Sequence, residues 1–258
     1  MIPAASLHGR PSPPAARWRA VLAQLEMELR LTLRRGENLL VTLAIPAGAL
    51  LFFTLVDVLP TDGSDPVDFL LPGVLALAII ATGFVSLGIA TAYERAYGVL
   101  KRLGATPLSR SGLVVAKVGS VAVVEAVQLV LLVGIAAGLL GWRPDGTSWP
   151  LVVVGLVLGT ATFAGLGLLL AGTLRADVVM ALTNAIFLVL MLLGGLIVPL
   201  DRLPEPLAAI SSLLPAAALA DTLRFGFGAS GDPTGPLLVL AAWAVGSAGA
   251  AAALFRWD

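Results

Sequence analysis

Few residues of this chain could do chemistry, and their spacing excludes most of it. Cysteine is absent and histidine occurs once, at His8, so no thiolate nucleophile, serine–histidine pair or cysteine–histidine zinc set can be assembled. The phosphate-cradling pattern G-x-x-x-x-G-K-[ST] needs a glycine directly before its lysine. The two lysines here are Lys101, which follows Leu100, and Lys117, which follows Ala116. No catalytic residue and no metal ligand is assigned, and the chain cannot itself be an ATPase. One acid, Glu125, lies inside a long apolar run, with Gln128 one helical turn away on the same face. An ionisable group at that depth is a functional candidate, lining a translocation path or the seam between two copies. The alternative is a packing role, with the carboxyl protonated or paired to Lys117. Asn184, beside Thr183, is a further polar candidate for the same path or seam.

These residues sit in elements made for lipid. Of 258 residues, 58% are hydrophobic and 12% charged, about half the charged share of an ordinary soluble domain, roughly 25%. A net charge of zero leaves no basic excess for nucleic acid. Apolar runs of about 20 residues can cross a bilayer as helices. Six are expected, at about 39–59, 69–92, 113–142, 148–174, 178–199 and 234–255, so the fold class is an all-α membrane protein. Lysine and arginine set the orientation. With the amino terminus in the cytoplasm, thirteen of the sixteen fall inside, and Arg143, Arg202 and Arg224 fall outside. Both termini are then cytoplasmic, and the acidic stretch from Asp57 to Asp68 lies outside.

Ahead of the first span, residues 1–16 are expected to be a disordered tail. Over 17–35, Trp18, Leu22, Leu25, Leu29 and Leu33 recur at helical spacing, with Arg19, Glu26, Arg30 and Arg34 on other faces. That pattern suits an amphipathic helix on the inner membrane surface, or one packed on a partner protein. Before the last span, Pro199, Pro204 and Pro215 interrupt apolar pieces too short to cross, such as Leu207 to Leu214. Short re-entrant or interfacial outer helices are expected there.

The connection between spans two and three concentrates charge in a chain poor in it. Tyr93 to Leu103 can form a short helix, and Thr106-Pro107 then forces an extended turn. By itself this is a docking element for a cytoplasmic partner or a solvated loop. Glu94-Arg95, Gly98, Leu100-Lys101-Arg102-Leu103 and Ala105-Thr106-Pro107-Leu108 resemble the inner loop of ABC-2 type permeases, the membrane subunits of a class of ATP-binding-cassette exporters. The resemblance covers almost the whole chain after residue 16, and it is closest to the drug-resistance permeases similar to daunorubicin exporters. In such permeases the loop after span two is a coupling helix against the ATPase, and the amino-terminal helix makes a second contact. The resemblance therefore implies that Glu94, Arg95, Gly98, Lys101, Arg102, Thr106 and Pro107 meet an ATPase subunit. It implies no cofactor in this chain, ATP and magnesium being held by that partner. It also implies a second permease copy, identical or different, a place in a bacterial inner membrane, and export of a hydrophobic or amphipathic drug, lipid or glycolipid. The alternatives are an ion-coupled secondary carrier, which usually shows repeated halves and several intramembrane charges, and a non-transporting membrane anchor for a cytoplasmic ATPase.

Overall fold

A computed structural model describes residues 17–34, 36–56, 65–103, 106 and 108–255. The tail expected at 1–16 and Pro107 lie outside the described residues. Every regular element among those described is helical: α1 (Arg17–Arg34), α2 (Gly36–Leu55), α3 (Pro66–Ile79), α4 (Leu87–Ala96), α5 (Val99–Leu103), α6 (Arg110–Leu139), α7 (Trp149–Thr173), α8 (Ala176–Leu193), α9 (Glu205–Ser211), α10 (Pro215–Gly226) and α11 (Thr234–Leu254). A π-helical segment, Ile80–Ser86, joins α3 to α4 without a break, and a 3₁₀ turn, Leu200–Arg202, precedes α9.

Five helices are long and apolar enough to cross a membrane: Pro66–Ala96, Arg110–Leu139, Trp149–Thr173, Ala176–Leu193 and Thr234–Leu254. The span expected at 39–59 corresponds to α2, whose twenty residues reach about 30 Å at 1.5 Å per residue, with Leu40–Leu55 as its described apolar part and residues 57–59 outside the described residues. The fifth expected span, 178–199, stops at Leu193 because Gly195 turns the chain at φ +63°. Helices α9 and α10 meet at 80°, as a broken span or re-entrant loop would.

Local sequence explains several boundaries. Asp65 accepts a hydrogen bond from the Val67 amide at 3.1 Å and Pro66 occupies the first turn, which starts α3. Ser109 does the same for α6, accepting from Gly112 N–H at 3.1 Å. Asp232 accepts from both the amide and the hydroxyl of Thr234, at 2.9 and 2.6 Å, at the start of α11. Those two bonds hold its exposed carboxyl below the usual carboxylate range.

The α3–π–α4 rod is the centre of the bundle. Leu70, Leu71, Val74, Leu75, Ile79 and Ile80 are fully buried, together with Phe163 of α7 and Leu219 of α10. Between lipid-immersed helices packing replaces hydrophobic exclusion as the driving force, so close approach matters. Gly155 and Gly159 of α7 supply it, because a Cβ there would stand 3.2 and 2.8 Å from Leu223 and Leu219 of α10. The similarly spaced Gly134 and Gly138 of α6 face open space.

Candidate functional site

Two clusters of polar side chains stand out. The first lies at the end of the bundle that carries α1 and α5. The sequence suggests one helix from Tyr93 to Leu103, but the structure breaks it. The α3–α4 rod runs through Tyr93 to Ala96, the chain turns at Gly98 with φ +69°, and only Val99–Leu103 re-forms a helix. Left-handed φ is open to glycine at no steric cost, which is why the break falls at Gly98. Leu100 is buried, whereas Lys101 and Arg102 are exposed at the tip of the connection. Thr106 closes the turn after α5, its hydroxyl donating to the Leu103 carbonyl at 2.6 Å.

Glu94 and Arg95 point away from that tip, into the bundle. Glu94 Oε2 lies 2.7 Å from Lys117 Nζ, and Glu28 Oε1 of α1 lies 3.0 Å from the same nitrogen. Lys117, 3% exposed, thus bridges two carboxylates from different helices. This corrects the suggested Lys117–Glu125 pair: Lys117 is engaged by α1 and α4. Arg95 donates to the carbonyl of Leu174, which terminates α7, where the helix dipole favours a cation. The base of the α4–α6 connection is therefore tied to α1, α6 and α7.

Helix α1 reaches this cluster by packing on α6. A Cβ at Gly112 or Gly119 would stand 3.0 Å from Val21 or 3.4 Å from Leu25, so these glycines let α1 lie close. The inward residues are Val21, Gln24, Leu25, Glu28 and Thr32, a half-polar face. Of the apolar stripe in the sequence, Trp18 and Leu22 are exposed, and Leu25 and Leu29 are half-buried. A cavity of about 150 Å³ opens beside the cluster, lined by Glu28, Thr32, Thr42, Thr82, Ser86, Lys117 and Ser120.

The second cluster lies within the spans, along α6. Gln128 donates to the Thr42 carbonyl at 3.2 Å and to Thr82 Oγ1 at 3.3 Å, joining α2, the π segment and α6. Glu125 accepts from the Thr160 hydroxyl of α7. Its other carboxylate oxygen is buried with no hydrogen-bond partner, and a Cβ at Gly83 would stand 3.6 Å from it. The π segment with Gly83 thus clears space for this carboxyl; π segments often occur where a helix serves function. Glu125 and Gln128 are enclosed by the chain's own helices. Asn184 is not brought to them: it is exposed on α8 and bonds back to the Met180 carbonyl at 2.7 Å.

At the opposite end of the bundle, Arg224 of α10 pairs with Asp221 at 2.7 Å, lies 4.0 Å from the centre of the Phe69 ring and donates to the Gly195 carbonyl. Trp142 donates to Asp68 at 2.9 Å nearby. A cavity of about 630 Å³ lies among Asp65, Asp68, Phe69, Trp142, Arg143, Asp145 and Arg224. Sequence reasoning missed both this cavity and the Lys117 bridge. The available signal for the bridge was one lysine two turns into an apolar helix, with acids on α1 and α4.

Among the described residues no group of three or more His, Cys, Asp or Glu could hold a metal ion. What remains is a multi-pass membrane bundle with a charged, exposed tip between two spans. Comparison with known proteins agrees. Residues 19–227 match the sequence pattern described as ABC-2 type transporter. Two similar proteins are the probable multidrug ABC transporter permeases YbhS of Escherichia coli K12 and of Escherichia coli O157:H7. Each is 24% identical over 167 residues, covering 64% of this chain and 44% of the relative. The chain thus spans less than half the length of the curated relatives it matches. Because the pattern covers most of the molecule, the chain belongs to the ABC-2 type transporter family.

Proposed function

We propose that this chain is the permease subunit of an ATP-driven exporter, moving a hydrophobic or amphipathic compound outward. ATP and magnesium are bound by a separate ATPase subunit that docks on α5 and the adjoining turn. The carrying observation is Lys101 and Arg102, both exposed on a five-residue helix at the tip of the connection between two spans, in a member of this family. Such a helix can seat in a groove and be pushed, while Glu94 and Arg95 behind it pass the displacement to neighbouring helices. Trp18 and Leu22, exposed on α1, give that helix an apolar edge for the membrane surface or the same partner.

In this reading the α5 end is cytoplasmic, both termini lie on that side, and the membrane is a bacterial inner membrane. A second permease copy sits against the face of α8 that carries Asn184, where an exposed amide would otherwise face hydrocarbon. Glu125 and Gln128 hold the protomer together internally.

Co-expression with an ATP-binding-cassette ATPase tests the assignment. Lys101→Glu with Arg102→Glu is expected to abolish co-purification of the ATPase and vanadate-sensitive uptake into inverted vesicles, with insertion of the permease unchanged. Retention of both by the double variant would place the docking surface elsewhere. Vesicles that hold the ATPase but show no vanadate-sensitive uptake would instead identify a membrane anchor.

A further inference from the structure

The Lys117 bridge has a geometry that packing alone does not require. Glu94 lies on the helix entering the charged connection, and Lys117 lies two turns along the helix leaving it. Their 2.7 Å contact closes the connection at its base, like a clasp. Glu28, 3.0 Å from the same ammonium, fastens α1 to the clasp. The ammonium is 3% exposed, so in this low-dielectric setting the attraction is screened far less than at a surface. Two carboxylates share one cation, so neither acid is left with a full counter-charge without it. The approach of α1 to α6 at Gly112 and Gly119 holds Glu28 in reach.

We propose that Lys117 is the positioning residue for energy coupling, making α1, the α4–α5 connection and the start of α6 move as one body when a partner pushes on α5. This rests on the permease reading above. Without the ammonium the two carboxylates repel, α1 separates from α4, and displacement of α5 is absorbed locally.

The experiment uses the full permease with its ATPase in proteoliposomes, reading transported molecules per ATP hydrolysed. Lys117→Gln is expected to lower that ratio by about tenfold. Lys117→Arg, which keeps the charge and can reach both carboxylates, restores most of it. An unchanged ratio in Lys117→Gln overturns the proposal. Because Lys117→Gln could fail to fold, spin labels at Met27→Cys and Tyr97→Cys, both exposed, report the same property in a chain that keeps Lys117 and has no native cysteine. Their separation is expected to be the same without nucleotide and with ATP–vanadate trapped. A separation that changes between those states overturns the proposal. Failure of the permease reading itself looks different: the unsubstituted protein would then show no ATP-driven transport at all.

Discussion

Thr160 and Glu125 show how a single hydroxyl can matter inside a span. The Thr160 Oγ1 contacts both the Glu125 carboxyl and the Leu156 carbonyl, and the second carboxyl oxygen already has no partner. Thr160→Val keeps the shape and strips the last bond, so a buried acceptor is left unmet at a cost of about 1–3 kcal/mol. Thermal unfolding in detergent should show a clear loss for Val and little for Ser; equal behaviour of the two would mean that the hydroxyl is idle. Lys117 gives a larger effect. Breaking a buried ion pair from one side costs about 3–5 kcal/mol, so Lys117→Met should destabilise more than Thr160→Val in the same assay. Asp232 differs because it is exposed. Its carboxyl is held below the ordinary range by Thr234, so its contribution to the start of α11 is present above the unfolded-state value and is lost as pH falls through the lowered one. The protection of the Thr234 amide, its exchange rate relative to an unstructured amide at the same pH, should therefore fall in acid, and Asp232→Asn should remove most of that pH dependence.

Helices respond according to what their small residues face. A Cβ at Gly73 of α3 would stand 1.8 Å from the Leu196 carbonyl oxygen, a backbone atom that cannot swing aside, whereas at Gly48 of α2 nothing lies within 4 Å. Gly73→Ala is expected to destabilise by about 1–3 kcal/mol or more. Gly48→Ala should be neutral or stabilising by up to about 1 kcal/mol, from helix propensity alone. Expression and unfolding temperature of the two variants compare them directly, and equal tolerance would contradict the α3–Leu196 contact. Element existence was readable in the sequence because a crossing helix needs only length and apolarity: 148–174 and 234–255 differ from α7 and α11 by a residue or so at their ends. The break at Gly98 and the early stop before Gly195 were less readable, since a glycine can sit inside a helix or end it. The π segment at Ile80–Ser86 leaves no mark in hydropathy, because α and π turns expose the same apolar composition. Among the site residues, Lys101 and Arg102 were legible as a charged tip. The inward turn of Glu94 and Arg95 was not, because their partners, Lys117 and the Leu174 carbonyl, come from other helices.

For the whole molecule the sidedness is directly measurable, since the chain has no native cysteine. A single cysteine replacing Arg143 or Ser230 should react with an impermeant maleimide from outside intact cells, and one replacing Arg30 or Arg110 only after the membrane is opened. The reverse pattern would invert the proposed orientation and take α5 away from any cytoplasmic ATPase. Burial is distributed unevenly across the bundle. In the most apolar stretch of the Pro66–Ala96 rod 83% of residues are buried within the chain, against 17% in Ala176–Leu193 and 22% in Thr234–Leu254. The rod is enclosed by its own protomer, while the other two offer their surfaces to lipid or to another chain. A survey of substitutions should therefore find its harshest stretch along Leu70 to Ile80, where no charge and no cargo contact is proposed. Exchanges among Leu, Val, Ile and Ala on α11, and on α8 away from the face that carries Asn184, should pass almost unnoticed. Divergence between relatives is then expected to accumulate on the surfaces that the protomer does not itself bury, so that, in the proposed transporter, specificity and assembly can change while the rod stays the same.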